Sequence, residues 1–212
     1  MIETRIETAR PTLPALPLTR ALFTSASMSW IWLVIRVYVG WQWLKSGLGK
    51  VSEPGWVGDG SALLSYWQRA VAVPPAPAKP AITYDWYRSF LQSLIDSGSH
   101  TWFAHLVAWG ELLVGVGLVV GAVVGVTAFF GALMNMNYML AGSASTNPVL
   151  FLLAVLLMLA WRTAGHLGVD YFALPFLASL GLRRAPAEEA PADQPLPALP
   201  TLAAADRHSE AA

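Results

Sequence analysis

The stretch HLVAWGELLVGVGLVV, residues 105–120, decides how the chain must fold. It is apolar enough for a membrane-spanning helix, yet it contains Glu111 between Gly110 and Leu112. A span needs roughly 20 apolar residues, and a charge at mid-membrane costs several kcal/mol on insertion scales. The carboxylate of Glu111 therefore needs a partner or a function inside the membrane.

The composition of the whole chain agrees with a membrane location. Of its 212 residues, 55% are hydrophobic and 12% are charged, with a mean hydropathy of +0.50, whereas soluble domains carry about 25% charge. The net charge is zero, so no basic surface indicates nucleic acid. The chain has no cysteine, which excludes disulfides, thiolate metal sites and covalent haem attachment. No zinc, phosphate-loop or serine-hydrolase motif is present.

Four stretches have the length and apolarity of spanning helices. They run from about residue 28 to 48, 101 to 120, 123 to 140 and 148 to 164. Positive residues flank the outermost spans at Arg20 and Arg183, and such residues concentrate on the cytoplasmic side of a membrane. We therefore predict an all-α integral membrane four-helix bundle, multi-pass, with both termini cytoplasmic.

Residues 49–100 are predicted to form a periplasmic, or otherwise extracytoplasmic, insertion with two amphipathic helices near the membrane surface. The helices are SALLSYWQRAV and YDWYRSFLQSLIDSG, joined by the proline-rich VPPAPAKP. Their apolar faces are predicted as Leu63, Trp67 and Ala70 in the first, and Trp86, Phe90 and Leu94 in the second. An ordinary extramembrane loop is the alternative.

The two ends of the chain differ from the rest in composition. Residues 1–26 and 183–212 are rich in proline and alanine and are predicted to be disordered. Residues 27–182 are then the membrane domain.

Arg36 is the predicted partner of Glu111. Each residue lies about halfway through its span, and the two spans run in opposite directions. Opposite charges at equal depth offset much of each other's burial cost. The pair either locks two helices together or lets Glu111 take or give a proton, so both residues are catalytic candidates.

A second polar group belongs to the outer half of the predicted bundle. Hydrogen-bond donors set among tryptophan and methionine side chains suit the two carbonyl oxygens of a quinone headgroup. The candidate quinone- or substrate-binding residues are Lys45, Trp41, Asn135, Tyr138 and Lys50, and His105 is a further catalytic candidate. The structural alternative is that these residues only bond neighbouring helices or anchor the chain at the interface.

Two further patterns allow two interpretations each. Gly117, Gly121 and Gly125 have the small-residue spacing of close helix packing, and the alternative is that Gly121 and Gly125 only shape the hairpin turn. Arg162, His166 and Asp170 share one face if the fourth helix continues. Glycines at 165 and 168 otherwise end that helix.

On these residues, the sequence resembles the DoxX/DoxD family of small bacterial membrane proteins. The matching motifs are R-x-x-x-G from Arg36, G-x-x-K ending at Lys50, G-E-x-x-x-G-x-x-L-x-x-G from Gly110 to Gly121, Asn147-Pro148, and AGHLGVD ending at Asp170. The resemblance covers roughly residues 28–182. It departs at Asp170-Tyr171, where the family often has Asp-Arg.

The resemblance implies a multi-pass protein of the bacterial plasma membrane with a link to redox chemistry. Members of the DoxD type resemble the large subunit of thiosulfate:quinone oxidoreductase (thiosulfate dehydrogenase, quinone), which passes electrons from thiosulfate to membrane quinone. The long 49–100 insertion favours this type. The expected partners are the lipid bilayer, quinone as electron acceptor and a second redox subunit, because the sequence has no metal or haem motif.

Two other functions remain open at this point. A non-catalytic membrane anchor, or assembly partner of an oxidative-stress redox complex, needs no cofactor motif. A small-solute transporter also uses buried arginine and glutamate, but the sequence shows no inverted repeat.

Overall fold

The computed structural model of the protein describes residues 22–23 and 25–181. Its regular secondary structure is all helical, without a strand among these residues, which confirms the all-α prediction for this part of the chain. After a 3-10 turn at Ala26–Met28, the helices are α1 Ser29–Val51, α2 Pro54–Val57, α3 Ser61–Val71, α4 Asp85–Asp96, α5 His100–Val120, α6 Val124–Leu140, α7 Asn147–Leu159, α8 Trp161–Gly165 and α9 Asp170–Gly181. The predicted disordered tails lie outside the described residues, apart from 22, 23, 25 and 26. All side-chain contacts described below lie within a single compact unit of the chain, whose last residue is Phe176.

The four predicted spans correspond to α1, α5, α6 and α7. The fourth is shorter than predicted, because α7 ends at Leu159 and the chain bends at Ala160 into α8. Within the described residues, α5 is the one helix both long and apolar enough to cross a membrane by length and composition, and α6 and α7 are shorter apolar helices.

Helices α1 and α5 pack antiparallel in very close contact. A Cβ atom added at Gly47 would lie 2.5 Å from the Leu112 nitrogen, and one added at Gly40 would lie 2.9 Å from the Val119 nitrogen. Gly115 of α5 meets α1 in the same way. These three glycines belong to the sequence motifs quoted above, although the sequence analysis does not predict that they lie at a helix contact, and they allow the two backbones to touch.

The glycines at positions 117, 121 and 125 lie at or near the turn between α5 and α6. Gly121 ends α5 with a φ of 75°, a left-handed conformation that glycine adopts without steric cost. Gly117 faces the Thr127 side chain across the hairpin, and Gly125 faces Trp161 of α8. The hairpin interpretation therefore holds for Gly121, whereas Gly117 lies at a close contact between α5 and α6.

The register of α1 and α5 shows that the predicted Arg36–Glu111 pair is wrong. Residue 47 lies beside residue 112, and residue 40 beside residue 119. Arg36 is therefore level with the end of α5, about 18 Å from Glu111 at 1.5 Å per residue. The two residues lie in opposite halves of the helix pair.

Arg36 instead holds the chain that follows α8. Its guanidinium is buried and donates to the carbonyl oxygens of Ala164 and Leu167, each at 2.9 Å. Asp170, also buried, accepts hydrogen bonds from the backbone nitrogens of Val123 and Val124 at 2.5 and 2.8 Å. A cation thus lies at the carbonyl end of α8 and an anion at the amide end of α6, where helix dipoles favour them.

The relay predicted for a continuous fourth helix does not form. Because α8 ends at Gly165, Arg162 and His166 leave the face on which Asp170 lies. The Arg162 guanidinium stacks on the Trp161 ring at 5.1 Å, and His166 contacts the Tyr171 ring. Both side chains are exposed, so the helix-end interpretation holds.

The insertion contains the two predicted helices, α3 and α4. They pack against each other and share a hydrophobic cluster with the first turns of α5. The predicted face of α3 is confirmed, because Leu63, Trp67 and Ala70 are all buried. The predicted face of α4 is not the one that packs against the rest of the protein. Trp86 and Phe90 are exposed, and the helix is turned so that Tyr87 and Leu91 are buried. The orientation of α4 is fixed by the Tyr87 hydroxyl, which donates to the carbonyl oxygen of Asn137 in α6 at 3.1 Å.

Candidate functional site

A polar cleft of about 690 Å³ lies at the end of the molecule where α1 ends and α7 begins. Its volume is typical of small-molecule sites, which measure about 300–1,000 Å³. Five residues predicted from the sequence line it: Lys45, Lys50, Glu111, Asn135 and Tyr138. They come from three helices that are separate in the sequence.

Glu111 lies in the wall of this cleft and has a partner on each oxygen. The Lys50 ammonium lies 2.8 Å from its Oε2 atom, and the Tyr138 hydroxyl donates to its Oε1 atom. Only 1% of the Glu111 surface is exposed. The carboxylate in the middle of α5 is thus neutralised by a lysine from the end of α1.

Close helix packing explains how Lys50 reaches Glu111. Gly47 brings α1 against the backbone of Glu111 and Leu112, and Lys50 lies one turn further along α1. Its ammonium also donates to the Ser46 hydroxyl at 2.9 Å and lies 5.0 Å from the centre of the Trp56 ring. Cation–π contact of this kind contributes about 0.5–2 kcal/mol, depending on how far water is excluded.

Asn135 is the least satisfied group in the described part of the site. Its side chain is fully buried and lines the cleft, yet neither its amide nitrogen nor its amide oxygen has a hydrogen-bond partner. The indole nitrogen of Trp43, which also lines the cleft, has none either. A buried polar group left unpaired costs about 1–3 kcal/mol, which indicates a ligand or ordered water as the missing partner.

The other predicted site residues lie elsewhere. Trp41 is on α1 but is 58% exposed and does not line the cleft. His105 is partly buried on α5 and does not line it either. Arg36 lies at the opposite end of the helices. The structure therefore brings together five of the eight candidates.

Among the cleft residues that sequence reasoning did not propose for the site are Trp43, Ser46 and Trp56. A signal for Trp43 exists in the sequence, because Trp43, Gly47 and Lys50 recur at spacings of four and three on one helix face. Trp56 had no such signal, since it reaches Lys50 only through the turn into α2.

The charges in the cleft balance. The lining contains two lysines, Lys45 and Lys50, and two glutamates, Glu53 and Glu111, so it has no formal net charge. At the rim, burial raises the pKa of Tyr66, while contacts with Ser143 and Arg69 oppose the shift. Tyr66 therefore stays a neutral hydroxyl at physiological pH. Within residues 22–23 and 25–181, no cluster of histidine and acidic side chains has the makings of a metal site.

Comparison with known proteins identifies the family. A family model described as DoxX matches residues 31–144, more than half of the chain. The match includes Lys50, Glu111, Asn135 and Tyr138, whereas Asn147-Pro148 and Asp170 lie beyond it. No curated protein and no solved structure matches the chain.

Proposed function

The chain belongs to the DoxX family, whose members are membrane proteins associated with redox chemistry, and we propose that within this class it binds and reduces a quinone. The cleft holds the quinone headgroup, and the electrons come from a sulfur donor, as in the large subunit of thiosulfate:quinone oxidoreductase. The helices α1, α5, α6 and α7 are then a multi-pass bundle in the bacterial plasma membrane. With cytoplasmic termini, the cleft and residues 49–100 face outward.

The unpaired amide of Asn135 is the observation that carries the proposal. A quinone headgroup is a neutral ring whose two carbonyl oxygens accept hydrogen bonds but donate none. Asn135, Trp43 and Lys50 offer donors to such a group within one cleft. The balanced charge of the lining also suits a neutral ligand better than an ion.

The proton demand of the reaction gives Glu111 a role. Joining two thiosulfates as tetrathionate releases two electrons, and a quinone that takes them up also takes up two protons. Lys50 and Tyr138 each hold a proton directed at Glu111. Each can give one proton to the quinone, which balances the two electrons, and both are then reprotonated from water in the cleft while the Glu111 carboxylate holds them in position.

Lys45 is the group best placed to attract the donor. It is exposed at the cleft and has no ion-pair partner among the described residues, so its charge is available to a small dianion such as thiosulfate. A second subunit that carries a redox centre would connect donor and quinone, because this chain has no cysteine to ligate one.

The test uses the detergent-purified chain with thiosulfate as the only electron donor. Binding of a quinone that lacks an isoprenoid tail is measured by calorimetry, and quinone reduction by absorbance. Asn135→Leu preserves size but removes the donor, so we expect binding to weaken about tenfold, which corresponds to ~1.4 kcal/mol. Its thermal stability should be equal or higher, because an unpaired amide has been removed.

The control variant is Gln68→Leu, which changes an exposed amide on α3 and should leave binding unchanged. Unchanged binding in a folded Asn135→Leu protein would contradict the proposed site. Binding without thiosulfate-dependent reduction would place the redox centre in a partner subunit. No quinone binding by well-folded wild-type protein would favour the non-catalytic anchor instead.

A further inference from the structure

A second cavity, of about 440 Å³, lies between α5 and α6, alongside α3 and α4. Its walls are aliphatic and aromatic, and include Trp67, Phe103, Leu113, Val126 and Phe130. The cavity lies beside the polar cleft but differs from it in chemistry.

Three polar side chains of this apolar cavity, those of Tyr87, Asn137 and Thr127, are already satisfied by the protein, whereas the buried Tyr66 hydroxyl, at the boundary with the cleft, has no hydrogen-bond partner. The Tyr87 hydroxyl donates to Asn137, whose own amide nitrogen donates to the Leu133 carbonyl at 2.8 Å. The Thr127 hydroxyl donates to the Ala122 carbonyl at 3.0 Å. In contrast to Asn135 in the cleft, none of these three groups needs a ligand. The cavity therefore suits a hydrocarbon chain without polar atoms.

Two tyrosines form the boundary between the two spaces. Tyr66 and Tyr138 line both the polar cleft and the apolar cavity, and their rings meet edge to face with centroids 6.4 Å apart. The hydroxyl of Tyr138 points to Glu111 in the cleft, while its ring contributes to the apolar wall. A tyrosine has one polar and one apolar end, which suits this position.

The apolar cavity is open on the side that a membrane protein presents to lipid. Leu113 is 68% exposed, Val126 53% and Phe130 50%, and all three line the opening. A molecule dissolved in the bilayer can therefore enter between α5 and α6 without crossing water.

We propose that this apolar cavity holds the isoprenoid tail of the quinone whose headgroup lies in the polar cleft. The inference rests on the proposed function. A tail that moves from lipid into the cavity gains little, because both surroundings are apolar. The cavity instead keeps the tail out of water while the headgroup reaches its donors. The two tyrosines mark the point where head and tail join.

Gly110 provides a direct test, because it lines the cavity and has room for a side chain. A Cβ atom there would meet only the Met134 sulfur, at 3.7 Å, so Gly110→Ala fits and Gly110→Leu fills the space. Each variant is reconstituted in lipid nanodiscs, and binding is compared for a tail-less quinone and for one with a long isoprenoid tail.

For Gly110→Leu, we expect binding of the tailed quinone to weaken by about tenfold or more, while binding of the tail-less quinone is unchanged. Gly110→Ala should bind both like the wild type. Val116→Leu adds bulk to α5 at an exposed position outside the cavity and serves as the control. If Gly110→Leu does not fold, Val126→Phe fills the same opening from α6.

Each outcome decides between the alternatives. If a folded Gly110→Leu or Val126→Phe protein binds both quinones as tightly as the wild type does, the tail site is wrong, whereas the headgroup site is unaffected. Failure of the wild type to bind the tail-less quinone would overturn the proposed function and, with it, the tail site. A phospholipid with a photoreactive acyl chain tests the other occupant. If it labels the cavity and excess tailed quinone does not displace it, the cavity holds lipid and the proposal is wrong.

Discussion

Gly47 lies directly against the backbone of Leu112, so that a Cβ atom at residue 47 would be 2.5 Å from the Leu112 nitrogen. Nothing in this contact can yield, because the neighbour is main chain and not the end of a flexible side chain. The absence of a side chain at residue 47 therefore sets the distance between α1 and α5. The same distance determines whether Lys50 reaches Glu111.

Replacing Gly47 with alanine should force the two helices apart. We expect Gly47→Ala to lower the free energy of unfolding by about 1–3 kcal/mol, the usual cost of overpacking. Gly49→Ala is the matched control, because a Cβ atom there meets nothing within 4 Å. That variant should gain about 0.5–1 kcal/mol from the better helix propensity of alanine. Thermal unfolding in detergent measures both, and equal effects would contradict the close contact.

The Lys50–Glu111 pair should show strong energetic coupling. Lys50→Met leaves the buried carboxylate with Tyr138 alone, and breaking a buried pair costs about 3–5 kcal/mol. The double variant Lys50→Met/Glu111→Gln should be more stable than the sum of the single effects predicts, because no unpaired charge remains. The exposed pair of Arg88 and Asp85 is the control, since surface pairs contribute about 0–1 kcal/mol. Additive effects at Lys50 and Glu111 would rule out the ion pair.

Asp170→Asn should weaken the contact between α6 and the chain that follows α8. Both carboxylate oxygens accept backbone hydrogen bonds, from Val123 and Val124, and an amide can accept only one of them. We expect a loss of about 1.5–3 kcal/mol, the range for hydrogen bonds to a charged group. Asp96→Asn, on the exposed surface of α4, should change stability by less than about 0.5 kcal/mol. Hydrogen exchange at the start of α6 reports the change locally, and unchanged protection there would contradict it.

Stability should fall at alkaline pH because of Tyr87. Burial and the nearby Tyr66 raise the pKa of Tyr87 from 10.0 to about 12. The unfolded chain therefore loses this proton before the folded protein does, so the stabilisation is complete below pH 10 and is lost as the pH rises to about 12. Tyr87→Phe should flatten this decline in the unfolding midpoint. Tyr84→Phe, at an exposed position, should not alter it, and a matching effect there would refute the assignment.

The sequence predicted the helices well but not the contacts between them. Long apolar runs require helices in lipid, so the positions of α1, α5 and α6 follow from composition. Asn135 and Tyr138 lie three residues apart on one helix, so the sequence alone places them on one face. The face of α3 followed in the same way from its apolar spacing. These are local properties of a single helix.

The partner of Glu111 could not be predicted because it depends on helix register. Arg36 was the predicted partner of Glu111 because each residue lies about halfway between the ends of its predicted span. Lys50 lies beyond the predicted end of the first span, at residue 48. The close contact at Gly47 shifts the match toward the end of α1. Asp170 shows the same limit, since nothing near it in sequence indicates backbone donors 46 and 47 residues earlier.

The separation of Arg36 from its acceptors has a consequence for biogenesis. Its two carbonyl partners lie 128 and 131 residues later in the chain, whereas Glu111 follows Lys50 by only 61 residues. A ribosome that makes the chain from its amino end therefore completes the Lys50–Glu111 pair when the first helical hairpin emerges. Arg36 must wait, charged and without its final partners, until α8 has been synthesised. The first helix is thus an unfinished element until the chain that follows α8 is made and supplies its last two hydrogen-bond acceptors.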